Sequence, residues 1–245
     1  MYSNCMHEYF GFFRFAILRQ GRYNENMKRK RCELLAPAGG TEQLIAAVEN
    51  GADAVYLGGR MFNARANAGN FSDEEMREAI DFAHRRNVKI HVTMNTLLKD
   101  EELEEALSYA AFLYEAGADA LIIQDLGLAG LIRQFMPDLP LHFSTQGTVT
   151  DLRGVEAAAR LGFDRVVLAR ELSLAEIREI CAGTETEIEI FAHGALCVCY
   201  SGQCQLSRYF GGRSGNRGAC AQPCRLPYAT KSFTGDLLQI GRAHV

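Results

Sequence analysis

Three times in 245 residues a helix-like stretch ends in glycine and, two residues on, an aspartate leads into a short strand-like run. These joints are Gly51-Ala52-Asp53-Ala54, Gly117-Ala118-Asp119-Ala120 and Gly162-Phe163-Asp164-Arg165. A glycine there supplies the left-handed conformation that closes a helix. Repetition of one joint implies repetition of one supersecondary unit. Strand-like runs at 33–35, 54–57, 89–94, 120–123, 141–144, 165–168 and 187–193 alternate with amphipathic stretches at 41–50, 72–86, 100–116, 126–135, 151–161 and 173–181. Such alternation builds parallel βα units. Ser72 with Glu75 reads as a capping box, and Asp100 as an N-cap. No Gly-x-Gly-x-x-Gly follows the first strand, which argues against a doubly wound dinucleotide-binding sheet. The pattern predicts an α/β chain: a (β/α)8 TIM-like barrel, incomplete at the C-terminus, with a Cys-rich metal-binding insertion after strand 7. Its eighth strand is expected past the last residue.

Composition narrows the function classes. With 48% hydrophobic and 23% charged residues the chain reads as globular, and its net charge of −4 gives no global basic field. RNA binding would need a local patch, and DNA is not expected as a partner. No apolar run approaches the roughly 18 residues that cross a bilayer. The stretch from Phe10 to Leu18 is short and interrupted by Arg14, a poor signal peptide. A cytoplasmic location is expected, where eight cysteines serve metal or redox chemistry more often than disulfides. Met27, before Lys28-Arg29-Lys30-Arg31, reads as the native start, leaving 1–26 as a non-native or disordered extension. The barrel is then expected over 27–196 and the Cys-rich segment over 197–228. A truncated tail follows over 229–245, whose Ile240-Gly241-Arg242-Ala243-His244-Val245 reads like translated sequencing adapter.

In a barrel the chemistry sits where strands end. Those ends carry Asn95, Gln124-Asp125, Ser144-Thr145-Gln146, Arg170-Glu171 and His193, a converging polar ring. Taken singly, each of these is equally well a loop cap or a surface ion pair. Beyond them, Cys197, Cys204, Cys220 and Cys224 are spaced x6, x15 and x3 amid glycine-rich sequence. A gap of six suits a polynuclear iron–sulfur centre better than paired zinc knuckles, with zinc and unliganded thiols as the alternatives. Cys199 has no assigned part, and Cys5, Cys32 and Cys181 read as small hydrophobes. His193, four residues before Cys197, also raises a nucleophilic thiol, although no orienting Asn or Asp or oxyanion hole is identifiable. The stretch Arg208-Tyr209-Phe210-Gly211-Gly212-Arg213-Ser214-Gly215-Asn216-Arg217-Gly218 interleaves arginine with aromatics. That suits phosphate contact and base stacking, or equally a solvated loop that neutralises cluster thiolates.

These residues also carry a resemblance. Glu189-Ile190-Phe191-Ala192-His193-Gly194-Ala195-Leu196-Cys197, followed by Ser201-Gly202-Gln203-Cys204-Gln205-Leu206-Ser207, resembles the signature of peptidase family U32. Glu33-Leu34-Leu35-Ala36-Pro37-Ala38-Gly39, Leu168-Ala169-Arg170-Glu171-Leu172 and Gly212-Arg213-Ser214-Gly215-Asn216-Arg217-Gly218 extend the likeness over about 33–228. The family is named for collagenase-like proteases. Several members are similar to enzymes that install 5-hydroxycytidine in ribosomal RNA or 5-hydroxyuridine in tRNA, and others serve ubiquinone hydroxylation. The segment Cys220-Ala221-Gln222-Pro223-Cys224-Arg225-Leu226-Pro227-Tyr228 is most similar to the ribosomal RNA branch. The resemblance implies a [4Fe-4S] cluster on Cys197, Cys204, Cys220 and Cys224, and involvement of prephenate. It implies C5-hydroxylation of a pyrimidine in rRNA or tRNA, with collagenase-like proteolysis as the alternative activity and a non-catalytic cluster-bearing RNA-binding subunit as a third reading. On this reading Arg170, Glu171, Gln146 and His193 line the pocket, and Arg213, Arg217 and Arg225 meet RNA.

Overall fold

The computed structural model describes residues 16–18, 32–66, 69–194, 196–231 and 237–240. Seven parallel strands pair in chain order: β2 (Leu35–Ala38), β3 (Ala54–Gly58), β4 (Lys89–Met94), β5 (Ala120–Ile123), β6 (Leu141–Phe143), β7 (Arg165–Val167) and β8 (Glu187–Ile190). Helices α1 (Thr41–Glu49), α2 (Asp73–His84), α3 (Leu103–Ala116), α4 (Leu126–Phe135), α5 (Leu152–Arg160) and α6 (Leu174–Gly183) fill the crossovers. The sheet curls, since Arg165 on β7 reaches Glu33, which leads into β2 at the opposite edge.

Several expectations need correction. An eighth member of the sheet that was not anticipated is β1 (Ala16–Leu18), which pairs antiparallel with β8. It comes from the stretch read as an extension; residues 1–15 and 19–31 of that region, and 241–245 of the expected tail, lie outside the described residues. Among the described residues no ladder joins β2 to the other edge, so the barrel is incomplete. The first parallel strand begins at Leu35 rather than Glu33, and the last ends at Ile190, leaving His193 beyond it. Asp100 caps no α-helix: it opens a 3-10 turn over Asp100–Glu102, where the Glu102 carboxylate accepts the Lys99 N–H instead.

The repeated joint has a second function besides closing helices. Gly51, Gly117 and Gly162 adopt φ of 86°, 92° and 92°, the left-handed region that favours glycine. The aspartate two residues later then turns back to the preceding strand. Asp53 accepts the Leu34 N–H at 2.8 Å, Asp119 the Ile90 N–H at 2.7 Å and Asp164 the Leu141 N–H at 2.9 Å. Each satisfies a strand-entry donor that would otherwise be exposed at the end of the ladder. The N-terminal end of the sheet is therefore stitched by one device used three times.

Strand residues alternate between two environments. Val55, Leu57, Ile90, Val92, Leu121, Ile123, Leu141 and Val166 face the helices, packing on Leu44, Met76, Ile80, Leu128 and Ile132. Full burial of such a side chain stabilises by about 1.5–3 kcal/mol. The opposite faces point into the barrel and are unusually polar. Arg165, almost fully buried, contacts Glu33 at 3.1 Å, Glu187 at 2.8 Å and Glu189 at 3.3 Å. Beside it His91 and His142 meet edge to face at 4.7 Å. Burial pushes Glu189 up to about 7 despite the opposing pull of Arg165. Burial first, then Arg165, takes His91 down to about 3; burial, His91 and Arg165 hold His142 well below its usual range. Both imidazoles are neutral at physiological pH.

Candidate functional site

After Ile190 the chain crosses the open face of the sheet before forming the short helix α7 (Leu206–Gly211), 3-10 turns at Gly215–Arg217 and Pro223–Arg225, and strand β9 (Tyr228–Lys231). That strand pairs antiparallel with β10 (Leu237–Ile240). This segment holds the four spaced cysteines, and it is fastened to the barrel mouth on two sides.

On one side the fastening is Ser201, fully buried between Cys197 and Cys204. Its backbone N–H and its hydroxyl both donate to Glu171 Oε1, at 3.0 and 3.2 Å. The same hydroxyl accepts from the Arg170 backbone N–H and Nε, and the Ser201 carbonyl accepts from Thr148 Oγ1 at 2.6 Å. Gly202 follows at φ 74°, with its Cα so close to the Gln146 carbonyl that a Cβ would lie 1.9 Å from that oxygen. Only glycine fits. The loop after β7 and the turn after β6 thus meet the cysteine segment at one point.

On the other side Arg217 grips both oxygens of Glu102 and donates to the Leu97 carbonyl at 2.8 Å. The Arg217 guanidinium holds the Glu102 carboxyl down at about 2. Leu97 N–H donates to the Asn216 carbonyl, and Ala66 N–H to that of Gly218. Gly218, at φ 76°, is pressed against the Asn63 carbonyl. Asn63 itself is buried, donating to Asn70 and accepting from Thr93 on β4.

Between the clamps lies the mouth. Gln124, buried at the end of β5, donates to the Gln146 carbonyl at 3.3 Å, and Ser144 accepts the Gln146 N–H. The Arg170 guanidinium lies 5.8 Å from the Phe191 ring centroid. The structure therefore brings together Gln146, Arg170 and Glu171 of the anticipated pocket, through Gly202 for the first and Ser201 for the other two, residues the sequence reading left without a role. His193 is exposed past the end of β8. Arg213 and Arg225 are exposed on the cysteine segment, whereas Arg217, anticipated as a phosphate contact, is committed to Glu102. A signal for Ser201 and Gly202 lay in the Ser-Gly-Gln-Cys run itself. None pointed to Glu102, whose partner is 115 residues away.

Cys197 and Cys220 are exposed, Cys204 and Cys224 half-buried, and none is in a disulfide. Burial, and after it the neighbouring Cys204 sulfur, pushes the Cys199 thiol up; Cys197 contributes a smaller effect. Cys197, Cys199 and Cys204 thus share one neighbourhood. Cys220 packs on Gly215 and accepts the Gln222 N–H. Among the described residues no three His, Cys, Asp or Glu side chains converge tightly enough to hold a metal ion. The donor set nevertheless suits a thiolate-ligated cluster. From Cys197 to Tyr228 there is no aspartate, glutamate or histidine to compete, and four arginines to balance thiolate charge. Among the described residues no helix is long and apolar enough to cross a membrane.

Comparison with known proteins gives the family. The sequence profile of peptidase family U32 matches residues 39–241. A 23S rRNA 5-hydroxycytidine synthase of Escherichia coli is 50% identical over 211 residues, 85% of this chain and 31% of that protein. The tRNA hydroxylation protein P1 of Bacillus subtilis is 42% identical over 199 residues, 81% of this chain and 47% of that one. A protein named collagenase from Porphyromonas gingivalis is 36% identical over 217 residues, 84% of this chain and 52% of its own length. The chain thus spans from about a third to half of these relatives. Among solved structures, the U32 peptidase Mk0906 shares the fold with a TM-score of 0.55 at 16% identity, over 66% of this chain and 70% of that one. By the profile match and by half-identity over most of its length, the chain belongs to peptidase family U32.

Proposed function

We propose that this chain is the iron–sulfur-bearing barrel portion of an enzyme that hydroxylates C5 of a pyrimidine in rRNA or tRNA. The observation that carries the reading is the double fastening of the four-cysteine segment over the barrel mouth. There Arg170 and Glu171 converge on Ser201, and the Gln146 carbonyl abuts Gly202, between two of the cysteines. The names of the relatives at 50% and 42% identity point the same way.

In this proposal Cys197, Cys204, Cys220 and Cys224 hold a [4Fe-4S] cluster, which supplies one-electron chemistry when bound. The chain's own groups do the rest. Arg170, steadied by Ser201, binds an anionic group, either RNA phosphate or the carboxylate of a prephenate-type co-substrate. Glu171 and His193 would hold or move a proton at the reacting base. Gln146 offers its amide to a base edge, and Arg213 and Arg225 meet phosphate. The Cys segment also excludes water from one side of the mouth.

The test is anaerobic purification of the chain, with its visible spectrum and iron, sulfide and zinc analysis, for wild type and Cys204→Ala. Broad absorption near 400 nm, with iron and sulfide lost in the variant, supports the cluster. Nucleoside mass spectrometry of rRNA and tRNA from a strain lacking the gene tests the reaction; an unchanged nucleoside profile refutes it. The collagenase reading requires gelatin cleavage by metal-free protein that is abolished in Cys197→Ala.

A further inference from the structure

The cysteine segment turns its aromatic side chains outward. Tyr209 is 84% exposed, Phe210 69% and Tyr200 62%. Large rings left in solvent cost apolar burial and mark an interaction surface. Their setting says what kind. In a chain of net charge −4, residues 197–228 contain four arginines and no acidic residue, and Arg208, Arg213 and Arg225 are exposed with the rings.

The short helix that carries Tyr209 and Phe210 is also pinned within the segment. Ser207 of α7 is buried, its hydroxyl accepts the Ala221 N–H at 2.9 Å and its carbonyl accepts the Arg213 N–H at 3.3 Å. With that side pinned, the 100° step of the helix turns 208, 209 and 210 outward as a fan, Tyr209 at its centre. Arg208 folds back on the Gly212 carbonyl at 2.8 Å.

We infer that Tyr209, with Phe210 beside it, is a stacking platform for an unpaired nucleotide of the RNA substrate, and that the segment engages single-stranded rather than duplex RNA. This rests on the RNA reading above. A flat ring bordered by guanidinium groups matches a base and its phosphates, whereas bases inside a duplex present no free face to a ring. An apolar protein partner would use the rings but has no need of a field of one sign.

The probe is a fluorescein-labelled pyrimidine-rich RNA of about twelve nucleotides, used single-stranded and annealed to its complement. It is titrated against the full chain, wild type, Tyr209→Ala, Tyr209→Phe and Tyr209→Leu. Thermal melting followed by circular dichroism confirms that each variant folds as wild type does. Tyr209→Ala is expected to weaken single-strand binding roughly tenfold, Tyr209→Phe to restore it, and duplex binding to be weak in every case. Wild-type affinity in Tyr209→Ala, full affinity in Tyr209→Leu, or equal competition by duplex overturns the inference. Nucleoside mass spectrometry on the same proteins separates the two claims. A Tyr209-dependent affinity without hydroxylated product defeats the reaction and leaves the platform standing. Product formed with no Tyr209 dependence of binding does the reverse.

Discussion

In the sheet, seven parallel strands share continuous ladders and bury two rows of side chains each. In the segment from 191 to 227 the buried residues among those described are Ser201, Ser207, Gly218 and Pro223, all small. Leu196, Val198, Tyr200, Tyr209, Phe210 and Leu226 of that segment are exposed. One region is ordered by apolar area, the other by polar clamps onto the first. The barrel is therefore expected to keep its order independently of the cysteine segment, which among the described residues buries no large apolar side chain of its own. Chemistry that needs a movable, cofactor-accepting part is placed on the region whose local opening costs least.

The first way to break this contrast is to attack the barrel from inside. Arg165→Met leaves Glu33, Glu187 and Glu189 without their central cation, and removal of one partner from a buried ion network costs about 3–5 kcal/mol. Denaturant unfolding should show that loss, with part of it recovered in Arg165→Met/Glu189→Leu. An unchanged midpoint would mean that the barrel interior does not hold the fold together. Gly202→Ala attacks the clamp instead, forcing a Cβ into the Gln146 carbonyl at positive φ. Strain of about 1–3 kcal/mol is expected there. Hydrogen exchange should rise across 196–205 while the sheet amides stay protected. If the whole barrel loosened equally, the two regions would be one cooperative unit.

How much of this was legible in the sequence follows the same division. The parallel strands and six helices could be read because apolar periodicity and the Gly-x-Asp joint are local signals. The strand-entry bonds of Asp53, Asp119 and Asp164 follow from the geometry of that joint. The antiparallel β1 was missed because three residues carry no periodicity. The polar barrel interior was missed too, although His91 and Thr93 alternate with Ile90, Val92 and Met94 on β4, because such a strand reads equally as half-exposed. At the mouth, the cysteines and the Arg170-Glu171 pair stood out by residue type. Ser201 did not, because a serine acquires a role only from partners 30 residues away. Arg217 looked like a phosphate ligand for the converse reason: its carboxylate partner is invisible in sequence.

The pH dependence of stability sharpens the contrast further. His91, at about 3 in the fold, and His142 take up protons in the unfolded chain below about pH 6.5 but not in the folded one, so their contribution falls as pH falls. Glu189, raised to about 7, acts oppositely: its stabilisation is full below its ordinary value near 4.5 and is lost as pH rises through 7. From pH 6.5 to 4.5 two histidine protons oppose one glutamate proton, a net slope of about 1.4 kcal/mol per pH unit. Below 4.5 the opposing glutamate proton drops out, and the histidines alone steepen the loss. His142→Gln should remove about one proton from the slope in urea titrations, relative to wild type. No change in slope would mean that His142 titrates normally and is not desolvated.

The smallest effect belongs to the second clamp. Glu102→Gln keeps the shape of the Arg217 contact and removes its charge, and an ion pair this exposed contributes about 1 kcal/mol or less to global stability. Its local effect should be larger in proportion, because Arg217 and the Asn216 and Gly218 carbonyls are the attachment of this end of the segment to the barrel. With Glu102 held at about 2, chiefly by Arg217, the pair persists well below the ordinary carboxylate range. Its contribution is full above pH 4.5 and lost only as pH falls through 2. Amides of 214–220 should therefore exchange faster in Glu102→Gln than in wild type at pH 5, while those of β4 and β5 do not change. Equal protection in both proteins would show that backbone pairing alone holds the segment, leaving Arg217 available for RNA phosphate as the sequence first suggested.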